Sequence, residues 1–255
     1  MLGLSEKTAI VTGGAGGIGK ATCCRFAEEG TKVAVFDLNG DAADEVVSDV
    51  TAKGGIAQAF VVDLTDYDAV KTAVADAKAA FGPIDILVNN AGWDLFTPFL
   101  KSDPAYWQKI IAINLTSALN MHHAVLPGMV ERGGGRVVTV SSDAARVGSS
   151  GEAVYAACKA GLIALSKTLA REHARQAITF NVVCPGLTET AMLDRFLSAA
   201  ANPDKLREAF RRAVPLGRLG KPEDLPGAIL FLSSDDAAFI TGQVISVSGG
   251  LTMNG

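Results

Sequence analysis

The chain has little charge and few cysteines for its length of 255 residues. Charged residues make up only 20% of the sequence and the net charge is -4, so we expect no basic surface that would bind a nucleic-acid backbone. The four cysteines are Cys23, Cys24, Cys158 and Cys184, and their spacing matches no metal site. We therefore expect buried free thiols, no bound metal and no nucleic-acid partner.

Long apolar runs are also missing from the sequence. Charged residues interrupt each hydrophobic segment before it reaches the roughly 20 residues that a membrane-spanning helix needs. Residues 1–7 lead directly into a strand-like run, without the basic and apolar regions of a signal peptide. The sequence thus predicts a cytoplasmic protein that does not enter a membrane.

Short Val- and Ile-rich runs alternate with longer helical patterns along the whole chain. This alternation is typical of a parallel sheet covered by helices on both faces. The predicted strands are 8–11, 32–36, 57–62, 84–88, 136–140, 179–183 and 243–247. Helices are predicted to begin near Gly17, Asp41, Asp66, Pro104, Val154 and Pro222. We predict one doubly wound α/β domain over residues 1–255, with a seven-stranded parallel sheet.

Residues 187–220 break this rhythm, because they separate a strand from the next regular helix by more than thirty residues. An insertion of that length in a compact domain is usually functional, and we predict a lid over a ligand. Its cations are Arg195, Lys205, Arg207, Arg211, Arg212 and Arg218. They indicate either a ligand contact or simply a solvated helix surface.

A glycine-rich turn, Thr12-Gly-Gly-Ala-Gly-Gly17-Ile-Gly19, follows the first strand and opens a helix. Without Cβ atoms, the backbone N–H groups and the helix N-terminus can approach a pyrophosphate closely. In this strand–turn–helix context the turn predicts a dinucleotide site and a Rossmann-type fold.

Acidic residues end the second and third strands. Asp37 lies about twenty residues beyond the glycines, where a carboxylate accepts hydrogen bonds from the adenosine ribose, and it would repel the 2′-phosphate of NADP. This favours NAD as the cofactor. Asp63, beside Leu64, is interpreted either as part of the adenine pocket or as a turn-forming residue.

A tyrosine and a lysine, Tyr155 and Lys159, lie four residues apart at the start of an apolar helix and so share one face. An ammonium group near a phenol favours the phenolate and would bring its pKa toward the working range. Ser142, thirteen residues earlier, could hydrogen-bond the same substrate oxygen as the tyrosine.

These motifs together resemble the short-chain dehydrogenase/reductase family along the whole chain. The matching segments are Thr12-Gly-x-x-x-Gly17-x-Gly19, Asn89-Asn90-Ala91-Gly92, Asn114, Ser142, Tyr155-x-x-x-Lys159 and Pro185-Gly186. The resemblance implies a catalytic tetrad in which Tyr155 is the acid/base, Ser142 polarises the carbonyl, Lys159 also holds the nicotinamide ribose and Asn114 positions a water.

The resemblance also implies a set of cofactor contacts. They are Gly13, Ala15, Gly16, Gly17, Ile18, Gly19, Asp37, Leu38, Asp63, Leu64, Asn90, Ala91, Gly92, Tyr155, Lys159, Pro185, Gly186, Thr188 and Thr190. Of the two threonines, Thr190 is the preferred contact, because family members often carry an aliphatic residue where Thr188 stands. Ser248 stands where many members have an aspartate.

Four segments resemble, more narrowly, the members that act on 2-hydroxycyclohexanecarboxyl-CoA in anaerobic benzoate and alicyclic acid degradation. They are residues 90–94, 122–131, 142–152 and 248–255. This implies NAD-dependent oxidation of a ring hydroxyl, with Ser142, Tyr155 and Trp93 contacting the substrate. The apolar run of Trp93, Leu95 and Phe96 would suit an alicyclic ring, although core packing explains it equally well. By their charge, the basic residues of the 187–220 insertion, with Arg211 and Arg212 among them, could meet CoA phosphates at the pocket mouth.

Two other functions remain open at this point. One is a 3-oxoacyl-thioester reductase of the fatty-acid type that uses NADP, and the other is a catalytically inactive dinucleotide-binding protein. The resemblance further implies a homotetramer formed through long helices at about 104–129 and 154–174, whose patterns are too apolar for two exposed faces. His122 and His123 point in different directions on a helix, so we expect packing or subunit contacts rather than metal binding.

Overall fold

The computed structural model describes residues 1–253, and seven of its strands form one parallel sheet. The strands are β1 Thr8–Thr12, β2 Lys32–Asp37, β3 Ile56–Val61, β4 Ile86–Asn89, β5 Gly135–Val140, β6 Ile178–Pro185 and β7 Val244–Val247. Their order is β3-β2-β1-β4-β5-β6-β7, and every pairing is parallel. The predicted fold class is confirmed.

Ten α-helices of the described residues connect and cover these strands. They are α1 Gly17–Glu28, α2 Gly40–Ala52, α3 Tyr67–Phe81, α4 Pro104–Ile111, α5 Ser117–Arg132, α6 Ala144–Val147, α7 Ala153–Glu172, α8 Ala191–Ser198, α9 Pro203–Ala213 and α10 Pro226–Ser233. Side chains of Asn39, Asp66 and Asp103 accept the first free N–H groups of α2, α3 and α4. These caps explain why the helices begin where they do.

The central strands are buried on both faces, so each face of the sheet has its own core. On one face, α1, α2 and α10 contribute buried residues such as Phe26, Val46 and Ile229. On the other, α3, α5 and α7 contribute Val74, Met121 and other buried side chains. This two-sided burial accounts for the nearly continuous Val/Ile runs in the sequence.

The order of strand connection reverses between β1 and β4. In open parallel sheets, the crevice outside the carboxyl ends of the strands at such a reversal is the usual ligand site. β4 begins two residues later than expected; just before it, the Asp85 carboxylate accepts the Thr8 N–H at 3.0 Å, and the Asp85 backbone bonds to Thr8 and Arg136.

The helix predicted at 104–129 is interrupted. Residues Ala112–Thr116 form a π-helical segment between α4 and α5, so the regular α-helical hydrogen-bond pattern is interrupted there. Such segments are rare and occur frequently at functional sites. This one contains Asn114, which is 1% exposed.

The insertion at 187–220 folds into α8 and α9. Its two ends meet through a parallel bridge between Thr188 and Gly220, and its interior holds a small apolar cluster that includes Leu193, Leu197 and Leu219. The insertion is therefore a compact unit with its own packing.

Helix α7 is, among residues 1–253, the one helix long and apolar enough to cross a membrane by length and composition. A core helix of a globular protein meets the same criterion. Because α7 packs against β6, α4 and α6, we attribute its apolar character to that packing.

Candidate active site

Thr12 connects the two loops that border the crevice. Its hydroxyl oxygen accepts the backbone N–H groups of Asn90 and Ala91 at 3.0 and 3.1 Å, and it donates to the carbonyl of Val88 at 3.3 Å. The Asn90 side chain donates in return to the carbonyls of Thr12 and Gly13. The side chain of Asn90 thus positions the glycine-rich turn, and the backbone of that turn borders the crevice.

The glycine-rich turn brings backbone and helix close together. A Cβ on Gly19 would lie 1.9 Å from the Gly13 oxygen, and a Cβ on Gly13 would lie 2.9 Å from the Ala91 Cα. Gly16 precedes α1 without a side-chain cap, and a Cβ there would meet open space. The uncapped N–H groups of α1, with Ile18 in its first turn, therefore face a space that fits an anionic group such as a pyrophosphate.

Asp37 lies at the carboxyl end of β2, beside this turn. Its two carboxylate oxygens accept the backbone N–H groups of Ala15 and Asn39, each at 3.0 Å. The cap of α2 is Asn39, whose side chain accepts from Ala42, so Asp37 is not the capping residue. Asp37 and the exposed Leu38 line a shallow depression at this edge.

Asp63 forms a turn. Its Oδ1 accepts the N–H and the hydroxyl of Thr65 at 2.9 and 2.7 Å, while Leu64 is half-buried against the core under β3. The turn-forming interpretation of Asp63 accounts for this geometry. A contact with adenine stays a prediction.

Gly92, Asn114 and Lys159 meet at the centre of the site. A Cβ on Gly92 would lie 3.0 Å from the Asn114 Oδ1 and 3.1 Å from the Lys159 Nζ. The Asn114 amide donates to the carbonyls of Trp93 and Ile110 and accepts the Trp93 N–H. Because its amide is engaged with backbone, Asn114 fixes the loop after Gly92, and its predicted role toward water remains a prediction.

Ser142 and Tyr155 bring their hydroxyl groups together. A hydrogen bond from Ser142 favours the phenolate, but burial of the phenol outweighs it and raises the pKa of Tyr155. The carboxyls of Glu152 and Asp94 raise this pKa further. The expected lowering by Lys159 is not found, so Tyr155 is held protonated in the protein alone.

Lys159 is 2% exposed, and its ammonium group donates to the carbonyl of Val140 at 3.0 Å. The Nζ lies 5.7 Å from the centroid of the Tyr155 ring. Burial lowers the pKa of Lys159 to about 8. The amino group is thus held near the Tyr155 ring by a backbone carbonyl.

Two carboxyls that the sequence interpretation missed flank the tyrosine. Asp94 is 6% exposed and its Oδ1 accepts the Tyr106 hydroxyl at 2.9 Å. Glu152 precedes Tyr155 by three residues and immediately precedes α7. The spacing of Glu152, Tyr155 and Lys159, three and then four residues, would have placed all three on one helix face.

The last residue of β6 and the segment after it carry four of the predicted cofactor contacts. A Cβ on Gly186, which follows Pro185, would lie 2.7 Å from the Ser248 Cβ, so the close approach of the C-terminal segment requires a glycine. Thr188 is buried and donates to the carbonyl of Gly186 at 3.0 Å. Thr190 caps the start of α8 and faces Gly17, where an added Cβ would lie 3.5 Å from the threonine methyl. Thr190 therefore borders the crevice, whereas Thr188 is turned inward.

The apolar run after Gly92 divides between two environments. Trp93 packs in the cluster that contains Tyr155, with the Lys109 ammonium 4.1 Å above its indole. Leu95 and Phe96 are exposed, and the ring of Phe96 meets Phe196 of α8 at 4.5 Å. The exposed pair is thus not core, and it faces the insertion.

His122 and His123 lie in separate surroundings, as predicted. His122 is buried and hydrogen-bonds to the Ala118 carbonyl, and burial lowers its pKa to about 4. His123 is exposed and pairs with the Tyr67 hydroxyl. No group of three potential metal ligands occurs within residues 1–253, and the four thiols are free, with Cys24 only half-buried rather than buried as expected.

Comparison with known proteins places this arrangement in one family. Residues 13–252 match the family model described as enoyl-(acyl carrier protein) reductase. A solved structure of levodione reductase is similar with a TM-score of 0.93 and 31% identity, covering 96% of this chain and 97% of that one. The chain belongs to the short-chain dehydrogenase/reductase family and is an oxidoreductase with a nicotinamide dinucleotide cofactor.

Three curated relatives span nearly the whole chain. The chain is 38% identical to the 3-oxoacyl-[acyl-carrier-protein] reductase of Thermotoga maritima, over 98% of this chain and 99% of the relative. It is 41% identical to the acetoacetyl-CoA reductase of Rhizobium meliloti, over 96% and 98%. It is 37% identical to a (2S)-[(R)-hydroxy(phenyl)methyl]succinyl-CoA dehydrogenase subunit of Thauera aromatica, over 99% of both.

Proposed function

We propose that this oxidoreductase uses NAD to oxidise a secondary alcohol to a ketone, converting 2-hydroxycyclohexanecarboxyl-CoA to 2-ketocyclohexanecarboxyl-CoA. The observation that carries the proposal is the hydrogen-bonded pair of Ser142 and Tyr155 beside the buried Lys159, at the crevice between β1 and β4. A hydroxyl pair of this kind can hold one substrate oxygen and move its proton.

The residues of the crevice fit a nicotinamide dinucleotide. The uncapped start of α1 would hold the pyrophosphate, Asp37 the adenosine ribose, and Lys159 the second ribose. When bound, the cofactor supplies the hydride acceptor. In its ionised form Tyr155 takes the proton of the substrate hydroxyl, and Ser142 hydrogen-bonds to the same oxygen and orients it.

The preference for NAD over NADP is argued from charge. The depression at Asp37 continues into a surface that carries Asp41, Asp44 and Asp49. Lys20, the cation lining this surface, is already paired with Asp49 at 2.7 Å. An additional phosphate on the ribose would meet carboxylates here without an available cation, which disfavours NADP.

The proposal of a CoA-thioester substrate is supported by the names of relatives and by an apolar pair, Leu95 and Phe96, at the site entrance. Two of the relatives described above are named for CoA thioesters, and the exposed Leu95 and Phe96 offer an apolar surface beneath α8 for a ring. We propose that the insertion at 187–220 acts as the lid over this ring.

Most cations of the insertion already have partners. Arg207 pairs with Glu189 and Asp194, Arg211 and Arg212 with Glu208, and Arg218 with Asp224. Arg195 and Lys205 have no ion pair among the described residues. We therefore expect Arg195 and Lys205, rather than Arg211 and Arg212, to contact the CoA phosphates.

A specific observation also favours a second function, NADP-dependent reduction of a 3-oxoacyl thioester. Relatives at 38–41% identity are named as reductases of 3-oxoacyl-[acyl-carrier-protein] and acetoacetyl-CoA. The protonated Tyr155 is compatible with donating a proton to a ketone. Asp37 is the residue that argues against this alternative. A catalytically inactive dinucleotide-binding protein would have no physical need for the constellation of Ser142, Tyr155 and Lys159.

We also propose a homotetramer in the cytoplasm. The apolar side chains of Ile111, Leu119 and Val130 are 41%, 42% and 36% exposed along α4 and α5, which supports burial of this face against another copy. Light scattering tests the assembly, and a monomeric mass would contradict it.

The decisive experiment follows NADH absorbance with 2-hydroxycyclohexanecarboxyl-CoA. NAD is compared with NADP, and the wild type with Tyr155→Phe. We expect NAD-dependent turnover that falls by at least about 10³-fold in the variant, while NAD binding is retained. Faster reduction of a 3-oxoacyl thioester by NADPH would favour the alternative, and NAD binding without any turnover would indicate a binding protein.

A further inference from the structure

The surroundings of Tyr155 are not symmetric in charge. Lys159 lies over the ring, while the carboxyls of Asp94 and Glu152 lie near enough to raise the pKa of the same tyrosine. Two loops bring them there. The N–H of Thr97 donates to the carbonyl of Gly151 at 2.9 Å, which joins the loop of Asp94 to the loop of Glu152.

Asp94 is fixed within this arrangement. Tyr106 donates its hydroxyl both to Asp94 Oδ1 at 2.9 Å and to the carbonyl of Leu95 at 2.7 Å, and Trp93 is held on the other side by Asn114. The carboxylate therefore cannot turn away toward bulk solvent without breaking these contacts. At 6% exposure, its charge is weakly screened.

Glu152 is fixed by the helix that carries the tyrosine. Its backbone carbonyl accepts the N–H of Ala156 at 2.7 Å, and its side chain hydrogen-bonds to the carboxyl of Asp94 when one of the two carries a proton, so the pair keeps at least one negative charge near neutral pH. Lys109, a cation of α4, lies over the indole of Trp93. Within the described residues, neither Asp94 nor Glu152 has an ion-pair partner, so no cation neutralises their negative charge beside Tyr155.

We propose that Asp94 and Glu152 form a charge filter that excludes free carboxylic acids and admits neutral esters and thioesters of the same hydroxy acid. This inference rests on the proposed function, because it assumes that the oxygen of a hydroxyacyl group binds at Tyr155. In a 3-hydroxy acid, the carboxyl carbon is two bonds from the reacting carbon. A free carboxylate would then lie close to the two carboxyls, whereas a thioester carries no charge there.

The test compares one alcohol in two forms, ethyl 2-hydroxycyclohexanecarboxylate and the free acid, in the oxidation direction with NAD at pH 8. The alkaline pH is chosen because burial raises the pKa of Asp94 to about 6, so Asp94 is ionised at pH 8. The ethyl ester lacks CoA, so the ratio of kcat/KM for ester over acid isolates the carboxylate charge.

The variants are Asp94→Asn, Glu152→Gln and the double variant, each of which keeps an oxygen where the carboxylate had one. Glu172→Gln, at the distant end of α7, is the matched control for loss of one negative charge. We expect the double variant to lower the ester-to-acid ratio by at least about tenfold, mainly through a lower KM for the acid. The control should keep the wild-type ratio.

Two outcomes would overturn the charge filter. If ester and acid lose activity together, the carboxyls are merely structural, and an unchanged ratio overturns the filter. If no ring compound is oxidised, the proposed substrate fails, and the same ratio is measured with ethyl 3-hydroxybutanoate and 3-hydroxybutanoate. If no secondary alcohol is oxidised at all, the dehydrogenase proposal and the filter both fall.

Discussion

The hydroxyl of Thr12 holds the two loops of the crevice together, and removing it should weaken both the fold and the cofactor site. Thr12→Val keeps the volume of the side chain, so it leaves no cavity. It does remove the acceptor of two N–H groups, those of Asn90 and Ala91 at 3.0 and 3.1 Å. The loss is therefore one of hydrogen bonding alone.

The magnitude follows from burial. An unsatisfied buried donor costs about 1–3 kcal/mol, and Asn90 and Ala91 are half-buried, which places each near the lower limit. Two such groups predict a loss of about 2 kcal/mol in the free energy of unfolding. Because Gly92 follows directly and adjoins Asn114 and Lys159, we also expect the KM for NAD to rise about tenfold.

Two assays are needed. Urea unfolding at one fixed protein concentration gives the free energy of unfolding, and initial rates of the native enzyme at varied NAD give the KM for NAD. The matched control is Thr22→Val. Thr22 is fully buried, but its hydroxyl only donates to the carbonyl of Ile18 within α1, so no N–H group loses its acceptor. The reasoning is refuted if Thr12→Val costs no more stability than Thr22→Val.

Three further predictions concern pH, cofactor choice and cofactor contact. Burial holds the pKa of His122 near 4, against about 6.5 in the unfolded chain, so the stability present above pH 6.5 is lost as the pH falls. The free energy of unfolding should drop by about 2 kcal/mol between pH 7 and 5. In urea unfolding, His122→Phe should remove most of this pH dependence, whereas His123→Phe should retain it. Asp37→Asn should lower the ratio of kcat/KM for NAD over NADP by about tenfold, and an unchanged ratio would show that its charge does not select the cofactor. Thr190→Ala should raise the KM for NAD severalfold, while Thr188→Ala should instead lower the unfolding free energy; equal KM values in the two variants would contradict the placement of Thr190 at the crevice.

The sequence predicted the sheet well because its central strands are buried on both faces. Burial of this kind leaves a short apolar run between polar turns, and the runs at β1, β2, β5 and β6 give the strands to within two residues. The glycine-rich turn was equally clear, because the close approach of Gly19 to the Gly13 oxygen admits no other residue.

Other features depend on tertiary contacts and leave no periodic signal. The π-helical segment at Ala112–Thr116 interrupts a helix whose apolar pattern continues through it. The pairing of Arg207 in α9 with Glu189 and Asp194 forms only once the insertion has folded. The role of Asp94 was hidden because it arises from Tyr106 and Glu152, which are distant in sequence but adjacent in the fold.

The state of Tyr155 follows from the balance of these contacts rather than from its motif. The spacing of Tyr155 and Lys159 predicts a phenol whose pKa is lowered by an ammonium group, yet the Nζ of Lys159 is bound to the Val140 carbonyl beside the ring. Burial together with the carboxyls of Glu152 and Asp94 then raises the pKa of the phenol, and the hydrogen bond from Ser142 offsets only part of this increase. The protein alone therefore holds a proton on Tyr155, which suits donation to a ketone. Oxidation of an alcohol needs the ionised phenol, which an ammonium group nearby favours, and Lys159 is a buried cation over the ring whose Nζ already donates to the Val140 carbonyl.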